Sequence, residues 1–167
     1  MKLFITDLEL ENFEKLFLSS AQNSMVISDN GSIKHCIGCF GCWIKTPGAC
    51  VIRDNYGDMG EYFSKCKELI IISKCCYGGF SPFVKNVMDR SISYVHPYFQ
   101  IRNGEMHHRR RYDNEIDMQV WLYGENITDK EKETAKKLIK ANGINLGCNV
   151  SKITFNDTIE EMGGKIS

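Results

Sequence analysis

Four thiols fall close together in Cys36-Ile-Gly-Cys39-Phe-Gly-Cys42-Trp-Ile-Lys-Thr-Pro-Gly-Ala-Cys50. The spacing C-x2-C-x2-C-x7-C puts three sulfurs within one or two turns of backbone and brings back a fourth. Such geometry suits a cubane [4Fe-4S] cluster, whereas structural zinc usually takes two separated C-x2-C knuckles. Cys36, Cys39, Cys42 and Cys50 are therefore the candidate metal ligands, and Gly38, Gly41 and Gly48 allow the tight turns between them. Two other readings stand beside this one: free thiols packed against a partner or cofactor, and a disulfide-forming sensor pair.

A second chemical stretch is Ser73-Lys74-Cys75-Cys76-Tyr77-Gly78-Gly79-Phe80-Ser81. Small residues let backbone approach a planar ring, Tyr77 and Phe80 offer stacking surfaces, and the turn itself carries no charge to desolvate. A well-packed turn has the same composition. Cys66, Cys75 and Cys148 read as core residues rather than nucleophiles. The run His107-His108-Arg109-Arg110-Arg111, with Arg102, suits a phosphate-bearing nicotinamide cofactor or a neighbouring subunit, and equally a solvated loop. His35 and His96 lack an obvious partner in sequence and receive no role.

The elements that must position these stretches alternate. Lys2 to Thr6 reads as a buried strand, with Asp7 capping a helix striped by Leu10, Phe13 and Phe17. Ser24 to Ser28 is a second strand, closed by the turn signal Asp29-Asn30-Gly31. A helix from about Asp58 to Cys66 follows the cysteine loop, with Met59, Tyr62, Phe63 and Cys66 on one face. Leu69-Ile70-Ile71-Ile72-Ser73 is a central strand, since a continuous β-branched run fits a sheet covered on both faces. Ser81 at the N-cap and Pro82 at the first helical position start the next helix, whose core face is Val84, Val87, Met88 and Ile92. From Ser93 to about Glu115, including His96-Pro97 and Asn103-Gly104, no period emerges and a long loop is expected. Met118 to Tyr123 is a strand. Thr128 and Glu131 form a capping box for a helix with Ala135, Leu138 and Ile139 inward and a stop at Asn142-Gly143. Val150 to Phe155 is the last strand, and Thr158 to Met162 a short terminal helix.

Five strands alternating with helices imply a parallel sheet wound on both faces. Ligands in such sheets sit beyond the carboxyl ends of the strands near the switch point, which selects the loops after Thr6, Ser73 and Tyr123. The cysteine loop joins them if the second strand lies beside the first.

At 167 residues the chain reads as a single domain, 1–167, able to bury a core without disulfides. Lys+Arg and Asp+Glu are both 21, so no global field steers it to nucleic acid or to an anionic membrane. The start Met1-Lys2-Leu3-Phe4-Ile5-Thr6-Asp7 lacks a signal-peptide pattern, and no run is long enough to span a bilayer. Eight cysteines without such a signal point to a reducing compartment, and a cytoplasmic protein is expected.

With these residues in view, the chain resembles the flavodoxin-like NAD(P)H-dependent FMN reductases, and among them the iron-sulfur flavoproteins. The likeness rests on Cys36-x2-Cys39-x2-Cys42-x7-Cys50-Val-Ile-x-Asp54, on Ile70-Ile71-Ile72-Ser73, on Tyr77-Gly78-Gly79-Phe80-Ser81-Pro82-Phe83-Val84-Lys85, and on Met88-Asp89-Arg90. It covers residues 24 to 100 well and the rest in element order. It implies a flavodoxin-like doubly wound five-stranded parallel sheet in three αβα layers. It also implies an FMN-dependent oxidoreductase taking electrons from NAD(P)H to an acceptor, small molecule or protein, that the sequence does not name. The flavin contacts implied are Cys75, Cys76, Tyr77, Gly78, Gly79, Phe80 and Ser81, with Thr6 as a hydroxyl donor and no obligatory acid or base. Flavins in that family are often shared across a dimer, which makes a homo-oligomer through Ser93 to Glu115 the expectation.

The chain departs from the family at one place. Where members carry a Gly/Ser/Thr-rich loop for the FMN phosphate, it reads Thr6-Asp7-Leu8-Glu9-Leu10-Glu11, whose three carboxylates repel a phosphate. That departure leaves open an iron-sulfur or thiol-based electron carrier or sensor, and a cofactor-less binding module on the same fold.

Overall fold

The computed structural model describes residues 1–102 and 104–166; Asn103 of the Asn103-Gly104 pair and Ser167 lie outside the described residues. Five parallel strands, β1 (Lys2–Thr6), β2 (Met25–Ser28), β3 (Glu68–Lys74), β6 (Ile116–Tyr123) and β7 (Cys148–Asn156), form one sheet in the order β2-β1-β3-β6-β7. Thr6 pairs with Ile72, and Ser73 and Lys74 pair with Leu122 and Tyr123, so β1, β3 and β6 end together at one edge. The order reverses between β1 and β3, and the crevice beyond those two strands is the switch point.

Alternation along the strands divides the core. Leu3, Ile5, Leu69, Ile71 and Val120 face α3 (Met59–Lys65), α4 (Pro82–Arg90) and α5 (Asp129–Leu146). Phe4, Ile70, Ile72 and Trp121 face α1 (Leu10–Phe17) and the C-terminal turn, through Phe13, Phe17, Met162 and Ile166. Both faces of β3 are covered, which is why its interior reads as an unbroken apolar run.

Several boundaries differ from the sequence reading. Glu9, not Asp7, precedes α1 and makes no side-chain cap, and Leu10 is exposed while Phe13 and Phe17 are buried. The capping box of α5 forms as expected, but the helix continues through Asn142-Gly143 to Leu146 and ends at Gly147 in the left-handed region. Gly143 is a contact rather than a stop, since a Cβ there would lie 2.4 Å from Val150 Cγ2. Leu138, expected inward, is exposed. The terminal helix is a short 3-10 turn, Glu160–Met162.

The largest correction concerns Ser93 to Glu115. It is not a loop but a 3-10 turn (Ser91–Tyr94) leading into an antiparallel hairpin, β4 (Val95–Arg102) and β5 (Glu105–Arg110). Neither strand alternates cleanly between buried and exposed positions, because the hairpin stands outside the main sheet. Period-two patterning is written only where one face is buried.

Candidate functional site

At the carboxyl edge, the switch-point crevice is filled by the chain itself. Asp7 accepts the Lys74 N–H at 2.8 Å and the Tyr123 hydroxyl at 3.0 Å, joining the ends of β1, β3 and β6. Burial pushes the Asp7 carboxyl above its ordinary value, against the bonds from Lys74, Ser81 and Tyr123 that pull it down. Thr6, expected to donate to a phosphate, is fully buried and its hydroxyl oxygen accepts the Leu8 N–H at 3.2 Å. Leu8 is buried as well.

The Cys75 to Ser81 stretch is a rigid turn. Cys75 N–H donates to the Tyr123 carbonyl at 2.8 Å, and Cys76 and Gly79 exchange two backbone bonds of 2.9 and 2.8 Å. Tyr77 and Gly78 between them have φ of +53° and +77°, the two-residue pattern of a type I′ turn. A Cβ on Gly78 would stand 2.8 Å from Thr134 Cβ and 2.9 Å from the Glu131 carbonyl, so the tip is seated on α5. Tyr77 is 93% exposed, whereas Phe80 is buried in the core and presents no free face for stacking. Ser81 caps α4 by accepting the Val84 N–H, and its own N–H donates to Ser73 Oγ at 2.9 Å. Beside this turn lies an open cavity of about 580 Å³, walled by Lys74, Cys75, Tyr123 and the Gly124 to Ile127 segment. Glu125, Glu131, Asp157 and Glu160 also line it, opposed among the described residues by Lys74.

The cysteine loop builds a different cavity. Cys36, Cys39, Cys42 and Cys50 all border a space of about 470 Å³ beside the C-terminal half of α4, and no residue of it lines the carboxyl-edge cavity. Cys36 and Cys39 are exposed, Cys42 and Cys50 buried. A short helix, α2 (Gly41–Ile44), begins after Phe40, whose φ is +55°. Burial raises the Cys42 thiol above its ordinary value, and the neighbouring Cys50, Cys36 and Cys39 add to the rise.

An aromatic wall encloses this cavity. Phe40 stacks on Trp43 at 5.5 Å, Trp43 meets the His108 ring at 5.0 Å, and His108 meets Phe99 of the hairpin at 4.7 Å. Trp43 is fixed by donating Nε1–H to the Val95 carbonyl at 3.0 Å. His108 Nδ1 lies 2.8 Å from the His96 carbonyl, which only accepts, so Nδ1 carries a proton.

Arg90 clasps the loop. It is 1% exposed and donates to the carbonyls of Lys34 (3.2 Å) and Ile52 (3.3 Å) and to the Asp54 carboxylate. Asp54 also accepts the N–H groups of Lys34 and Tyr56 at 3.1 and 3.0 Å. Burial alone would raise the Asp54 carboxyl, but the bonds from Arg90, Lys34 and Tyr56 hold it below its ordinary value. Asp54 and Arg90 stood in the sequence only as parts of a motif, and with their positions 36 residues apart nothing there pairs them. Trp43 gave no signal in sequence, and His108 stood only within a basic run read as a cofactor or subunit contact or a solvated loop.

Set against FMN, these residues fit in part. The rigid turn and the cavity beside it suit a planar ring, but Thr6 is sequestered and the first loop and the cavity rim are acidic. The phosphate does not fit. Set against a thiolate-bound metal, the donor chemistry fits, with four thiols on one cavity. Among the described residues, however, no three His, Cys, Asp or Glu side chains converge where an ion would sit, so a centre requires the glycine-containing loop to draw its sulfurs together.

No family model and no curated protein matches this chain. Solved structures do. An azoreductase from Bacillus anthracis matches over 99% of this chain and 91% of its own, with a TM-score of 0.58 at 11% identity. An FMN-dependent NADH-azoreductase from the same species, solved in complex with FMN, matches over 93% and 86%, with a TM-score of 0.56 at 13% identity. The Trp repressor binding protein of Bacillus subtilis matches over 99% and 90%, with a TM-score of 0.55 at 15% identity. The flavodoxin-like fold expected from the sequence is thereby shown. No helix among the described residues is long and apolar enough to cross a membrane.

Proposed function

We propose that this protein is an oxidoreductase of the NAD(P)H- and flavin-using kind, in which the flavin is engaged through its ring and not through its phosphate. Its fold, shared with an FMN-dependent NADH-azoreductase, supports the class. The observation that carries the particular reading is the carboxyl-edge cavity: it lies where doubly wound sheets take ligands, and Asp7 fills the crevice in which a phosphate cradle would be needed. A bound flavin supplies the hydride and electron chemistry. The chain holds a rigid turn that borders the cavity at Cys75, and the acidic rim disfavours anions. Binding of FMN, riboflavin and lumiflavin, followed by flavin fluorescence, tests this. Comparable affinities are expected for all three, with the flavin bleached by NADH or NADPH under anaerobic conditions. Strong selection for FMN overturns ring-only binding, and no bleaching with either nucleotide overturns the oxidoreductase.

The second reading, favoured by four thiols bordering one cavity, is an iron-sulfur or thiol-based electron centre at Cys36, Cys39, Cys42 and Cys50. Iron and sulfide content of anaerobically purified protein tests it. The acceptor on either reading is a small molecule or a protein. A second copy of this chain is the proposed cover for the hairpin, where Tyr98, Phe99, Ile101 and Met106 are exposed beside Phe40 and Ile44 of the cysteine loop. Light scattering should give a dimer that Ile101→Asp with Met106→Asp dissociates; a wild-type monomer sinks the idea.

A further inference from the structure

The cavity bordered by the four cysteines has a lining chemistry of its own. Its walls come from elements far apart in sequence: the cysteine loop, Met88 on α4, Val95 and His108 on the hairpin, and Leu146 at the end of α5. At about 470 Å³ it falls within the range of roughly 300–1,000 Å³ that small-molecule pockets occupy. Five sulfur-bearing residues line it, Cys36, Cys39, Cys42, Cys50 and Met88, together with the stacked rings of Phe40 and Trp43. Sulfur is polarisable and packs favourably on aromatic rings. Phe40 is exposed and held at a φ of +55°, a region that disfavours bulky side chains, so its stack on Trp43 is kept against a backbone cost.

The charges on this wall are already paired. Arg90 is committed to Asp54, and Asp89 to Lys85 at 2.5 Å. An ionic ligand would find no free countercharge, and taking an unpaired charge out of water is costly. Among the neutral polar side chains, His108 offers an acceptor. Its Nδ1–H is spent on the His96 carbonyl, so in the neutral ring Nε2 holds the lone pair, and among the described residues it has no partner. The ring is held between Trp43 at 5.0 Å and Phe99 at 4.7 Å. We propose that this cavity is a binding site for a neutral planar aromatic molecule that carries one hydroxyl or N–H. Its ring lies among the sulfur-bearing residues and the stack of Phe40 on Trp43, and its donor is accepted by His108 Nε2. The thiols are wall here and not metal ligands, so the site depends on neither reading above.

The test is titration calorimetry of the full metal-free chain with three probes of one shape: 2-naphthol, 2-methoxynaphthalene and naphthalene-2-sulfonate. One hydrogen bond is worth about 5- to 10-fold in affinity, so 2-naphthol should bind that much more tightly than its methyl ether, and the sulfonate more weakly than either. Bound 2-naphthol should slow iodoacetamide labelling of the exposed Cys36 and Cys39, which places it in this cavity and not at the carboxyl edge. His108→Phe keeps a ring between Trp43 and Phe99 and removes the acceptor. It should erase the preference for naphthol and leave the affinity for the ether in place, which also shows that the variant folds. Wild type alone decides the site where that variant does not fold: failure to bind, or binding with unchanged labelling, overturns it. Equal affinity for naphthol and ether, or a preference that survives His108→Phe, overturns the role of His108. A sulfonate bound as tightly as the ether overturns the neutral-ligand assignment.

Discussion

Arg90→Met is the most informative single change in the chain. The guanidinium side chain is 0% exposed and its partner Asp54 only 8%, so removing the cation leaves a carboxylate buried beside the Lys34 and Tyr56 N–H groups with its countercharge gone. Breaking a buried pair from one side costs about 3–5 kcal/mol, because the remaining charge is uncompensated. In a chain of this length each kcal/mol moves the melting temperature by about 2–4 °C, so the expected fall is about 6–20 °C. Thermal and urea denaturation at pH 7 measure it. Adding Asp54→Leu should recover part of the loss, since the double variant buries no lone charge. The acid limb gives a second readout. Asp54 is held below its unfolded value of 3.8, so its contribution is present above that pH and lost as pH falls through the depressed folded value. Arg90→Met should flatten that part of the profile. A loss under about 1 kcal/mol, the range of an exposed pair, would refute the reasoning.

Gly143→Ala should destabilise by about 1–3 kcal/mol despite the helix propensity of alanine, because the new Cβ meets Val150 Cγ2 at 2.4 Å; urea denaturation measures it, and Val150→Ala in the same chain should restore stability. Burial pushes the Cys66 and Cys148 thiols up to about 12, whereas Cys36 and Cys39 are exposed. Brief iodoacetamide treatment of metal-free protein at pH 8, mapped by mass spectrometry, should label Cys36 and Cys39 and spare Cys66 and Cys148. Asp7→Asn should stabilise at neutral pH and not in acid, as read by thermal melts at pH 7 and pH 3. The raised folded value of Asp7 means the native state gains from protonation as pH falls through it, and that contribution is lost as pH rises. Equal effects at both pH values would contradict the burial argument.

The parallel sheet was readable because its strands carry their own signal: Leu69 to Ile72 is unbroken where both faces are covered, and Ser81-Pro82 and Thr128 with Glu131 announce helix starts by local chemistry. The hairpin was not, since His107 to Arg110 stand in a strand with no regular alternation of buried and exposed positions. Gly143 misled for a related reason: glycine marks a helix end by its freedom and a helix contact by its smallness, and only Val150 on the neighbouring strand distinguishes the two. Among the site residues, the four cysteines singled out by their spacing do border one cavity, although among the described residues no three ligating side chains converge there, whereas the sequestering of Thr6 and Phe80 depends on tertiary packing that composition does not encode. The acidity of the first loop was plain in sequence; that Asp7 turns inward to tie three strand ends together was not.

Two cavities that share no lining residue are nevertheless held by one helix. At its N-terminus α4 is joined to the carboxyl edge by the Ser81 N–H on Ser73, and at its C-terminus Arg90 clasps the loop that carries the thiols. Nine residues of helix span about 13 Å at 1.5 Å each, and with Val84 and Val87 fully buried against the sheet the rod has no slack. The separation of the two sites is therefore a property of α4 and not of either loop. Loosening the clasp at Arg90 should open the thiol cavity while leaving the Cys76 to Gly79 turn in place, because that turn is anchored independently, by Cys75 on Tyr123 and by Gly78 on α5.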